Sequence, residues 1–162
     1  MVALSAIWTR LDKLRAHLDS AASVLDFGIR LYVADVFMKS GLIKFADWDK
    51  TLFMFEEVYH VPVLPTHVAA VLGTFGELFF PALFAVGLAT RFSALSLFVV
   101  NIVAVISYWH VLRGNEAALM SHFYWGALIL VIFFHGPGRL SLDHWISKRM
   151  SAVLERDTER TV

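Results

Sequence analysis

Cysteine is absent from the 162-residue chain, which excludes disulfides, thiol redox chemistry, iron–sulfur clusters and thiolate zinc sites together. Charge is scarce as well: Asp, Glu, Lys and Arg make up 17% of the residues, against roughly 25% in an average soluble domain. The formal net charge of zero gives no sign of a nucleic-acid or acidic partner. No flavin or nucleotide motif is present, so any electrons would have to come from another protein. What the chain has in excess is apolar surface: 58% hydrophobic residues and 14 Phe, with a mean hydropathy of +0.65. One domain of this length cannot be covered in water by so few polar side chains, and a lipid solvent is the consistent reading.

Four apolar stretches approach the roughly 20 residues that a helix needs to cross a bilayer, at about 24–43, 67–88, 92–112 and 118–135. The expected fold is therefore all-α, a polytopic membrane four-helix bundle with an N-terminal amphipathic interfacial helix. Basic residues set its orientation, since Lys and Arg accumulate on the cytoplasmic side. Arg10, Lys13 and Arg15 precede the first stretch, Arg91 joins the second to the third, and Arg139, Lys148, Arg149, Arg156 and Arg160 follow the fourth; the other connections carry only Lys44, Lys50 and Arg113. Both termini are thus expected in the cytoplasm, with the chain multi-pass in the membrane. Residues 1–20 read as a surface helix rather than a signal peptide, because no long apolar core with a cleavage site follows the charges. Ala3, Leu4, Ile7, Trp8, Leu11, Leu14 and Leu18 recur at helical spacing there, as in a helix lying among headgroups. The organisation is then 1–20 amphipathic helix, 21–145 transmembrane domain and 146–162 charged cytoplasmic tail. The outer loop from Ala46 to Thr66 holds Leu52, Phe53, Phe55, Val58 and Tyr59, which predict a short lid helix ended by Pro62 and Pro65.

Ile29-Arg30-Leu31 with Phe37, Gly41 and Lys44, then Glu77 in a small-residue helix, then Gly87-Leu88-Ala89-Thr90-Arg91, and finally Gly136-Pro137-Gly138-Arg139-Leu140-Ser141-Leu142-Asp143 follow in order along the chain. In order and spacing this set resembles the bacterial DoxX family, over roughly residues 27–145. The resemblance implies a four-helix inner-membrane protein associated with oxidoreductase systems, some relatives being small subunits of quinone-linked oxidation complexes.

Individual polar groups inside the apolar stretches carry the functional expectations, because an ionisable group at membrane depth needs a partner or a proton. Glu77 shares a face with Ala70, Gly73, Pro81 and Phe84, so it should point into the bundle, as the proton-handling catalytic residue. Asp26, Arg30 and Lys44 share one face of the first span, and Asp35 and Lys39 pair on the opposite one. Arg30 either snorkels beside Asp26 or, as the resemblance suggests, meets a buried anion. Asn101 shares its face with Tyr108, while His110 projects from the opposite side and His122 opens the last span. Lys44, Glu77, His110 and His122 are expected to converge on the outer half of the bundle, with Asp35 and Lys39 as neighbours and Tyr108 and Trp125 as aromatic walls. Arg30, Lys44, Asn101, Tyr108, His110 and His122 are the candidate ligand contacts. Such a site suits a quinone or another amphipathic small molecule supplied with electrons by a soluble or membrane redox partner. The alternatives are a non-catalytic anchor or assembly subunit, a small-molecule carrier, or a haem or copper protein liganded by His110 and His122. Self-association into a homo-oligomer fits any of these.

Overall fold

The computed structural model describes residues 2–160. The side chains of Ala3, Leu4, Ile7 and Arg160, named above, lie outside the described residues. All regular structure among the described residues is helical: α1 (Val2–Ala46), α2 (Trp48–Glu57), α3 (Thr66–Val86), α4 (Thr90–Ser107), α5 (Trp109–Leu112), α6 (Glu116–His135) and α7 (Leu142–Arg160). Three of them, α3, α4 and α6, are long and apolar enough to cross a membrane. Their outward side chains suit lipid rather than water: Phe75, Phe79, Phe92, Val99, Val131 and Phe134 are all exposed.

α1 packs along α3 and also touches α6, while α4 packs between α3 and α6. The buried face of α1 repeats every three or four residues through Arg30, Val33, Ala34, Phe37 and Gly41, the stripe expected of a helix packed on one side. Val33, Phe37, Phe84, Ala94, Leu97, Ile129 and Ile132 form the central core, so α1, α3, α4 and α6 all meet there. The separate surface helix and first span of the sequence reading are one continuous helix of 45 residues. The reason is local: no Gly or Pro interrupts residues 2–27, so nothing ends the helix before the core begins. Trp8, Leu11, Leu14 and Leu18 along its first half stay exposed.

The third apolar stretch departs from expectation at its end. α4 stops at Ser107, Tyr108 leaves helical geometry, and α5 makes a separate short turn. α2 is the expected lid helix, but it ends at Glu57, ahead of Pro62; Pro65 instead occupies the N-cap position of α3. Asp47 caps α2 by accepting from the Lys50 backbone N–H at 3.0 Å.

A second cluster of contacts ties the bundle at the end opposite α2. α3 finishes on Gly87 in the left-handed region, φ 71°, which glycine adopts without strain. A Cβ there would fall 2.1 Å from an Arg30 guanidinium nitrogen, so the position is closed to any larger residue. Arg30 donates to the carbonyls of Phe84, Ala85 and Leu140. Asp143 at the start of α7 accepts from the backbone N–H groups of Ala89 and Thr90, each at 2.8 Å, and from the Thr90 hydroxyl at 2.7 Å. It therefore caps α4 from a distant segment, and its own N–H donates to the Gly87 carbonyl at 2.9 Å.

Candidate functional site

The close approach of α1 to α3 builds the site. A Cβ at Gly41 would lie 2.9 Å from the Leu78 side chain and 3.1 Å from the Glu77 backbone carbon, so only glycine lets the two backbones come this near. Lys44 lies three residues on, one turn along the same face. Its ammonium donates to Glu77 Oε2 at 2.6 Å and to Ser40 Oγ at 2.7 Å. Their side chains are only 15% and 11% exposed, and a paired carboxylate and ammonium is what burial of either charge requires. Pro81, inside α3, has no N–H to donate to the Glu77 carbonyl four residues back, which loosens the helix at the carboxylate.

This ion pair forms part of the wall of a cavity of about 400 Å³ between α1, α3, α4, the start of α6 and the lid, a volume in the range of small-molecule sites. Its polar lining includes Ser40, Tyr59, Ser107, Tyr108 and His122, and its apolar lining includes Phe55, Leu72, Val99 and Val103. Leu72, Val99 and Val103 are exposed, so the α3–α4 side of the rim faces outward, where lipid would lie. The lid is held down at three places. Thr51 donates to the Lys44 carbonyl at 2.8 Å, the His60 N–H donates to the Ser107 carbonyl at 2.9 Å, and Phe55 meets Gly73, where an added Cβ would be 3.3 Å from its ring. Phe55, Tyr59 and Tyr108 stack edge to face in series, with centroids 5.0 and 5.2 Å apart. Burial first, then the neighbouring Tyr108 and Glu77, hold the Tyr59 phenol above its ordinary pKa. Tyr59 is thus a protonated donor at neutral pH.

On the far wall, Asn101 and His122 join α4 to α6. The Asn101 amide N–H donates to the His122 backbone carbonyl at 2.9 Å, and its oxygen lies 2.8 Å from His122 Nδ1. The His122 ring also meets Trp125 edge to face, with centroids 4.9 Å apart.

Of the residues expected from the sequence to meet, Lys44, Glu77, Tyr108 and His122 border this one cavity, and Asn101 touches it through His122. Three expectations are corrected by the packing. Arg30 is fully buried at the other end of the bundle, where it holds backbone carbonyls, with Phe27 5.5 Å from its guanidinium. Asp26 pairs instead with His135 Nδ1 at 3.1 Å. Asp35 and Lys39 are not neighbours of the cavity: they pair with each other at 2.6 Å on the outer face of α1, 56% and 70% exposed. His110 is turned away by the break after Ser107, and its ring packs on His60, centroids 4.9 Å apart. No group of three or more His, Asp or Glu among the described residues is placed to hold a metal ion. Tyr59, Ser40 and Ser107 line the cavity without having been singled out as ligand contacts. Ser40 was findable one turn before Lys44, whereas the place of Tyr59 depends on how the lid folds back.

No curated protein and no solved structure matches the chain. Residues 25–110, just over half of the chain, match the family model described as DoxX. That span takes in α1 from the core onward, the lid, α3, α4 and the ion pair of Lys44 and Glu77, and stops short of α6 and the 136–143 segment. With its apolar helices and this match, the chain is a multi-pass membrane protein and belongs to the DoxX family.

Proposed function

We propose that this protein is the membrane subunit of an oxidoreductase system and that a quinone, or a similarly amphipathic small molecule, occupies the cavity beside Glu77. The observation that carries the reading is the Lys44–Glu77 pair at 2.6 Å on the wall of a largely apolar cavity. Ionisable groups are expensive at membrane depth and mark functional pathways there. An apolar tail enters past Leu72 and Val99, while a polar head group meets Lys44, Glu77, Tyr59, Tyr108 and His122. Glu77 is the group that handles the proton accompanying electron transfer, and the electrons come from a partner protein. α1 from about residue 24 serves as the fourth crossing, with both termini in the cytoplasm of the bacterial inner membrane. The basic asymmetry supports that orientation: Arg91, Arg139, Lys148, Arg149 and Arg156 lie toward one end, Lys50 and Arg113 toward the other, and Lys44 is neutralised by Glu77.

Purification from the native membrane in mild detergent, followed by mass spectrometry of bound quinones, lipids and proteins, tests the proposal. A quinone retained by the wild type and lost from Glu77→Gln is the expected result. A second reading, the non-catalytic anchor, draws on the same pair, because a carboxylate already neutralised by Lys44 also suits a purely structural joint. Co-purification with a soluble redox protein, and with no small molecule, would put the anchor ahead.

A further inference from the structure

The hydrogen bonds around Asn101 determine which atoms of His122 carry hydrogen. A backbone carbonyl only accepts, so the Asn101 atom 2.9 Å from the His122 carbonyl is the amide nitrogen, and the side-chain orientation follows from it. The amide oxygen is then the atom 2.8 Å from His122 Nδ1. That oxygen also only accepts, so Nδ1 carries the proton. In a neutral imidazole Nε2 is therefore a bare lone pair. His122 borders the cavity, and among the described residues Nε2 has no hydrogen-bond partner.

We infer that the cavity binds the hydroquinone form of its ligand more tightly than the quinone form, with His122 Nε2 accepting from the ligand O–H and Asn101 as the residue that positions it. This rests on reading the cavity as the site of an amphipathic redox molecule. A quinone carbonyl offers only lone pairs, and opposite Nε2 it would leave two acceptors facing each other. A hydroxyl satisfies both. Lys44 uses two N–H donors, on Glu77 and Ser40, and keeps a third for an oxygen of the ligand. Asn101 lies between α4 and α6 beside Gly126, where an added Cβ would be 3.2 Å from the amide nitrogen, and this confinement keeps the amide from turning over.

The test uses the full-length wild-type protein in nanodiscs at pH 8, titrated with decyl-ubiquinol under anaerobic conditions, with decyl-ubiquinone, and with the dimethyl ether of the quinol. One hydrogen bond gained or left unmade corresponds to about a tenfold difference in affinity. The quinol should accordingly bind about tenfold more tightly than either other probe. The ¹⁵N shifts of His122, assigned by difference against His122→Gln, should report a protonated Nδ1 and a bare Nε2. Asn101→Leu should shift that signature and remove the quinol preference. Equal binding of all three probes, or an Nε2–H tautomer in the wild type, overturns the selection for a hydroxyl while leaving a ligand site in place. Failure of all three to bind overturns the redox-ligand reading itself, and the selection with it.

Discussion

At the scale of single residues, the two partners of the buried pair are not equivalent. Lys44 is two residues from the end of α1, so its flexible stem allows the ammonium to reach water past the lid if the carboxylate is neutralised. Glu77 lies mid-way along α3 and has no such exit. Lys44→Gln should therefore cost about 3–5 kcal/mol, the usual consequence of stranding one charge of a buried pair, while Glu77→Gln should accumulate at close to the wild-type level and lose ligand binding. Thermal unfolding in detergent of the two single variants and the double variant measures the coupling. Additive losses, with no rescue of Lys44→Gln by Glu77→Gln, would show that the pair is not an interacting unit. Asp143 makes a second prediction, in pH. Burial pushes its carboxyl pKa upward, but hydrogen bonds from Thr90 and Ala89 and the charge of Arg30 outweigh that and leave it below the ordinary value. Since the folded pKa is the lower one, the stabilisation is complete above the ordinary carboxyl value of about 4 and disappears as the pH falls through the depressed one. Asp143→Asn should be less stable than the wild type at pH 7, with the difference shrinking in acid. A gap that stays constant down to pH 3 would contradict this assignment.

At the scale of helices, the contact of α1 with α3 at Gly41 decides whether the site exists. Gly41→Leu has no space against Leu78 and the Glu77 backbone, and overpacking of this kind typically costs 1–3 kcal/mol or more. The expected result is a folded but less stable protein in which Lys44 no longer reaches Glu77, so ligand affinity falls as it does in Glu77→Gln. Ligand titration beside an unfolding curve separates the two effects; unchanged affinity in Gly41→Leu would mean that the helix spacing does not set the site. The lid illustrates the limit of sequence periodicity. Apolar residues from Leu52 to Tyr59 foretold a short helix there, and α2 is one. That Phe55 reaches Gly73 and that Thr51 holds the Lys44 carbonyl depend on the chain folding back over α3, which no local pattern encodes. His110 fails for the reverse reason: the apolar run continues through it, while the backbone leaves the helix at Tyr108, and the imidazole turns toward His60.

At the scale of the whole molecule, the main core and the cavity follow one another along the bundle and meet at Val100. Val33, Phe37, Phe84, Leu97 and Ile132 fill the half near Gly87, locked by Arg30 and by the cap from Asp143. The half under the lid is left open around the ion pair. The orientation proposed for this bundle has a direct test in a chain that lacks cysteine. Single cysteines at positions 50 and 115 should react with an impermeant thiol reagent from outside the cell, and one at the exposed position 91 only after the membrane is opened. Labelling of 50 or 115 from the cytoplasmic side alone would reverse the topology.

Composition and periodicity by themselves determined the all-helical class, the lipid solvent and the location of α3, α4 and α6, because these depend on how much apolar surface must be hidden and at what repeat. They also placed Glu77 inward and paired Asp35 with Lys39, both consequences of helical geometry within one segment. Which charge meets Glu77, which end of the bundle receives Arg30, and which residues the lid adds to the cavity were decided by tertiary structure alone. Each depends on the register between helices far apart in sequence, and that register is set by close approaches, such as Gly41 on Glu77 and Gly87 on Arg30, whose geometry does not exist until the helices have packed.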